Sequence, residues 1–191
     1  MNNTMIFYID EMTGPIRIPV APNETKQLVF RFEQKNQTAI PKELSRELSI
    51  QVGPRGNLEL YIISALPASV QNMVNTSIVL QERSSLKITE LILDEGAGTY
   101  HTEAFLNGDE AILDYAGAYG SRNRTKRIHT LEAHHFGKNS KSRTSLKSAL
   151  KDSAHLVFKG LIHVDTQATG TDAYLSNRNM VMNDGCRAES L

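Results

Sequence analysis

The chain has one cysteine in 191 residues, no tryptophan, and aromatic residues at only 6%. A single Cys186 excludes an internal disulfide framework and any CxxC metal pair within the chain. Sparse Phe and Tyr and the missing Trp argue against a platform on which bases or sugars stack. No apolar run approaches the ~20 residues that span a bilayer, and Met1 to Asp10 lacks a basic stretch followed by an apolar core. These absences lead us to expect a soluble, cytoplasmic protein that is neither inserted nor exported. Enzyme signatures are missing too: no GxxxxGKS/T loop, no GxGxxG after a strand, no GxSxG elbow and no HExxH. The glycines between 96 and 108 sit among strand-like segments with no helix to follow, so they read as turns.

A net charge of zero hides an asymmetry. Residues 122 to 151 carry nine Lys or Arg against Glu132 alone, a net +8, which the remaining residues offset. Such a segment can steer an acidic partner. Its simpler reading is the solvated ends and outer face of strands, where charge also discourages edge-to-edge association. Phe136 is the one aromatic residue within the run, too sparse an interleaving to favour nucleic acid as the partner.

What the chain has in quantity is short segments of alternating apolar and polar residues. Residues 1 to 55 are punctuated by Pro15, Pro19, Pro22, Pro41 and Pro54 and read as an N-terminal extension. IRIPV and KQLVFRF are its best strand candidates, with a polar turn at Asn23 or Asn36. PKELSREL at 41 to 48 reads as a turn or two of helix. From residue 56 to 191 strand-like segments recur, and none shows a 3.6-residue period. Leu86, Ala111 and Ala154 each open such a segment after a polar turn, which suggests coils of about 22 residues in a β-solenoid. A β-sandwich with irregular loops accounts for the same strands.

Candidate chemical groups are scattered. His134 and His135 are adjacent, so on a strand they point to opposite faces and cannot share a metal. His129 shares a face with His135, His101 with Glu103, and His155 with His163, yet none of these pairs carries a third ligand at a convincing spacing. The acidic pairs Asp94-Glu95 and Asp109-Glu110 fall in turns and make poor glycosidase carboxylates. No catalytic residue stands out. Cys186 and His135 are the weak candidates for a metal or cluster, the first because a thiolate is the natural iron ligand.

The last third of the chain carries a family pattern. Asp152, Phe158, Gly160, Ile162, Val164, Ala168, Thr171, Ala173 and the run Asn177-Arg178-Asn179 follow one another in fixed order. In that order they resemble the core of the SufB/SufD family of iron-sulfur cluster assembly scaffolds. The likeness continues more faintly at His135, Ser142 and Lys147 and at Asn75 with Ile78 to Leu80, so it covers roughly 57 to 190. The resemblance implies a mainly β protein built on a right-handed parallel β-helix. It also implies a non-enzymatic scaffold in a Suf-type assembly complex, with a Suf-type ATPase and a second SufB/SufD-like protomer as partners. Dimerisation would run through the end of the β-helix. An iron-sulfur cluster would pass over it transiently, with no stably bound cofactor and no membrane.

The departures are informative. Cys186 stands where the family usually has a small residue such as alanine, and the family's more telling Cys or His lies in a segment beyond Leu191. The family's N-terminal helical region is absent or much reduced, and its C-terminal helical domain is lacking. The chain therefore reads as a truncated form or a short, cysteine-poor, SufD-like paralogue. Two other readings stay open: a β-helix enzyme acting on polysaccharide, and a free-standing interaction module that uses the basic segment.

Overall fold

The structure is a computed structural model and describes residues 3–8, 14–33 and 42–191. Among them every regular element is a β-strand, and all neighbouring strands are parallel. The odd-numbered strands form one seven-stranded sheet: β1 (Asn3–Tyr8), β3 (Thr25–Glu33), β5 (Asn57–Ser64), β7 (Ser85–Ile92), β9 (Ile112–Ser121), β11 (Lys141–Leu150) and β13 (Asp172–Val181). The even-numbered strands form the second: β2 (Ile16–Val20), β4 (Glu43–Val52), β6 (Gln71–Leu80), β8 (Gly98–Leu106), β10 (Lys126–His135), β12 (His155–Val164) and β14 (Arg187–Ser190). Each turn of chain contributes one strand to either sheet, so the molecule is a parallel β-solenoid of about six turns. The expected β-helix is thus the observed fold.

Period-two patterning accounts for the strands. In β4 the residues Leu44, Arg46, Leu48, Ile50 and Val52 are buried while their neighbours face out. Helix was expected over part of this segment, and the correction follows from the pattern: a helix would turn Leu44 and Arg46 to different sides, whereas alternation sends them to the same one. Identical positions stack from coil to coil. Ile18, Ile50, Ile78, Ala104, Ala133 and Ile162 make one inward column, and Leu28, Leu60, Ile88, Tyr115, Thr144 and Leu175 another on the facing sheet. Truncating a fully buried member such as Ile78 removes about 2–5 kcal/mol.

The register gives the true coil length. Asn72 lies beside Gly98 and Gly98 beside Arg127, offsets of 26 and 29, and Ile16 lies beside Leu48, an offset of 32. The expected 22 was too short. Leu86 is the second residue of β7 and Ala111 precedes β9 in one sheet, whereas Ala154 precedes β12 in the other, so the 43-residue gap is one and a half coils. The strands expected at IRIPV and KQLVFRF are β2 and β3, and both join the same sheets as later strands, with β3 paired directly to β5. Strand pairing therefore runs through residue 55 without a break. Asn36 lies outside the described residues.

One corner is a ladder of left-handed turns. Asn23, Arg55, Arg83, Glu110, Asn139 and Gly170 all have φ between 53° and 79°. The first five each donate a backbone N–H, at 2.7–3.0 Å, to the carbonyl just before the next member. Left-handed backbone costs an ordinary residue roughly 1–2 kcal/mol, which the ladder offsets. Beside it the coils touch backbone to backbone: a Cβ on Gly137 would lie 1.9 Å from the Gly108 carbonyl oxygen, so only glycine fits.

Candidate functional site

Strand β10 carries the densest set of chemical side chains. Its inward residues are Arg127, His129, Leu131, Ala133 and His135, all buried, and its outward ones include Thr130, Glu132 and His134. Each outward position looks onto β8 on one side and β12 on the other. Glu132 is directly opposite Glu103, and His134 sits between Phe105 and His163.

Inside, most polar groups find partners in one another. Asp94 accepts hydrogen bonds from Ser64 Oγ (2.7 Å), Leu66 N (2.9 Å), Asn72 Nδ2 (2.9 Å) and Tyr100 Oη (2.7 Å). Arg127 donates through Nη2 to the Asp94 carbonyl (2.8 Å) and through Nη1 to Gly120 O (3.0 Å) and Ser121 Oγ (2.8 Å). Arg46 donates to Asn72 Oδ1 (3.2 Å) and lies 4.0 Å over the Phe32 ring. Inward-facing Glu90 accepts from Tyr115 Oη (2.5 Å) and Tyr119 Oη (3.0 Å), and removal from water pushes its carboxyl pKa up. Two guanidiniums and two carboxyls thus share the interior. A buried charge with one missing partner is costly, so this network acts as a structural unit.

His129 is buried among Tyr100, Tyr119 and Phe158, with centroids 4.9–6.1 Å away, and neither ring nitrogen has a hydrogen-bond partner. Burial first, and then Arg127, pull its pKa down to about 3, so the ring is neutral. The sequence-predicted candidate His135 is likewise inside. Ser140 Oγ lies 2.8 Å from its Nδ1 and Ser142 Oγ 2.8 Å from its Nε2, and burial followed by His134 lowers its pKa. Cys186 stands in the turn before β14, half-buried, with Sγ 3.4 Å from Asn183 Oδ1 and 3.7 Å from Asp152 O. None of the hydrogen-bond contacts of His135 and Cys186 joins the two residues.

Outside, the structure assembles a group the sequence reading passed over. Glu103, Glu132 and His134 place one ligand atom each within 4.8 Å of one another. His134 Nε2 is 3.4 Å from Glu132 Oε2 and 3.8 Å from Glu103 Oε1. His101 with Glu103 was weighed as a same-strand pair; the ligand set actually spans two coils. With a coil of 29 residues the pairing of 103 with 132 could have been read directly. The basic segment divides between the faces: Arg127 is buried and its eight other Lys and Arg are exposed. No helix among the described residues is long and apolar enough to cross a membrane.

Parallel strands, a coil of about 29 residues and a hydrogen-bonded polar network in the interior define a β-solenoid with an outward face of polar side chains. Its family is shown by sequence: the model for the SUF system FeS cluster assembly SufBD core domain matches residues 15–191, and the chain belongs to that family. A 44-residue stretch is 50% identical to iron-sulfur cluster assembly SufBD family proteins of Mycobacterium tuberculosis (strain ATCC 25618 / H37Rv) and Mycobacterium bovis (strain ATCC BAA-935 / AF2122/97). That match takes in 23% of this chain and 11% of either relative.

Proposed function

We propose that the chain is a non-enzymatic scaffold component of a Suf-type iron-sulfur cluster assembly complex, working with a Suf-type ATPase and a SufB/SufD-like protomer in the cytoplasm. The observation that carries this reading is the family match from residue 15 to 191, which runs over the solenoid from β2 to β14. A stiff parallel solenoid is suited to such work, because its coils hold side chains at fixed spacings while a partner moves. The single cysteine favours the SufD-like, cysteine-poor side of the family, with the cluster handled as cargo in transit. Cys186 is its weak candidate ligand, contributing one donor while the remaining ligands would come from a partner; His135, the other candidate read from the sequence, is sealed inside with a serine hydroxyl on each ring nitrogen and has no donor open to a cluster.

Anaerobic co-expression with the Suf-type ATPase and SufB/SufD-like chain of the same source, followed by size-exclusion chromatography with light scattering, tests this. Co-elution in one heteromeric peak is expected. A chain that elutes alone at every ratio of partners contradicts the proposal.

A further inference from the structure

We propose that Glu103, Glu132 and His134 form a binding site for a divalent first-row transition-metal ion on the outer face of the sheet that holds β8 and β10. Four observations carry it. First, two carboxylates stand directly opposite one another on adjacent strands, where like charges repel. Among the described residues neither has a Lys or Arg partner; the nitrogen within 4.0 Å of both is His134 Nε2. Second, His134 Nε2 is out of contact with water and makes no hydrogen bond, yet it points at both carboxylates. A polar atom left unsatisfied in this way is costly, and a bound cation would satisfy it.

Third, the ring is held in place. Phe105 stacks on it at 5.2 Å with planes 16° apart, and His163 tilts against it at 5.8 Å. The donor is therefore positioned before any ion arrives. Fourth, the distances suit coordination. Donors about 2.1 Å from a common metal lie roughly 3.0–3.4 Å from one another in octahedral or tetrahedral arrangements. The 3.4 and 3.8 Å separations from the imidazole need shifts of only tenths of an ångström, and the two carboxylate oxygens, within 4.8 Å of one another, can close further because the Glu side chains reach solvent.

The donor chemistry sets the class of ion. One imidazole nitrogen with two carboxylate oxygens suits Mn2+, Fe2+, Co2+ or Zn2+; Mg2+ and Ca2+ prefer all-oxygen sites and Cu+ prefers sulfur. Three protein ligands leave positions for water or an external ligand, and His163 lies beside His134 on the next strand. This site would exist whether or not the chain works in cluster assembly.

The test is titration of the purified 191-residue chain with Co2+ in a non-chelating buffer, followed by visible absorption and calorimetry. One equivalent should bind and be displaced by Zn2+, and the ion should raise the thermal midpoint. Glu103→Gln and Glu132→Gln each keep the side-chain shape and should each weaken binding at least tenfold, while a change at exposed Lys126, Lys126→Ala, leaves it unchanged. Absence of saturable binding overturns the proposal. So does binding that survives both Gln variants, that disappears with Lys126→Ala, or that Mg2+ matches in affinity.

Discussion

The two faces of β10 use the same residue types to opposite ends. Inward, Arg127, His129 and His135 are shut away from water and either hydrogen-bonded or packed among rings. Outward, one residue further along the strand, Glu132 and His134 meet Glu103 with their charges and lone pairs uncommitted to any cation. Titratable side chains in a solenoid therefore have meaning only once their face is known. On the inner face they hold coils together; on the outer face they are available to a ligand.

The largest effect expected from breaking this contrast lies inside. Arg127→Ala leaves the Asp94 and Gly120 carbonyls and Ser121 Oγ without their donor and should cost about 3–5 kcal/mol. Its exposed neighbour as Lys126→Ala should stay within about 0.5 kcal/mol. Urea unfolding of the two variants side by side compares the faces directly, and equal midpoints would dissolve the distinction.

His129 gives the next effect, and its sign is set by protonation. The unfolded imidazole titrates near 6.5 and the folded one near 3. Between those values the unfolded state binds a proton that the folded state refuses, so stability is full above 6.5 and falls as the pH drops toward 3. His129→Leu lacks this term. Between pH 7 and pH 4 the variant should gain on the wild type by roughly 3 kcal/mol, read as a shift in denaturant midpoint. A constant difference across that range would mean the ring is reached by protons in the folded protein.

Smaller still, Ser142→Ala should cost about 1–2 kcal/mol by leaving one buried nitrogen of His135 unbonded. On the outer face Glu132→Gln should change metal-free stability by less than about 0.5 kcal/mol, with relief of repulsion from Glu103 as the favourable part. A large loss there would make Glu132 a structural residue.

How much of this could be read from the residues alone depends on range. Alternation along a strand is local, so β2, β3 and the opposite facing of His134 and His135 were legible. The family pattern was legible for a related reason: Phe158, Gly160, Ile162 and Val164 occupy alternate positions of one face of β12, and a Cβ on Gly160 would sit 2.9 Å from Phe158 and 3.0 Å from Leu175. The signature reports packing. Coil length was misjudged, because turns of different size separate the strands and only the register reveals offsets of 26 to 32. Everything that depends on coil length was hidden with it. Asp94 was taken for a turn acid and proves to be an interior acceptor, and the meeting of Glu103 with Glu132 and His134 across 29 residues went unseen. The helix expected at 41 to 48 failed on Arg46, whose burial in a charge-compensated core no local rule anticipates.

The division between the two faces is tested most directly by long-range 15N–1H NMR of the six imidazoles, recorded between pH 4 and 8 with and without one equivalent of Zn2+. His129 should remain neutral above pH 5, His135 should titrate below the ordinary imidazole value, and both should ignore the metal, while the Nε2 resonance of His134 moves on its addition. A His134 that does not respond to Zn2+, or an inward histidine that does, would contradict the account.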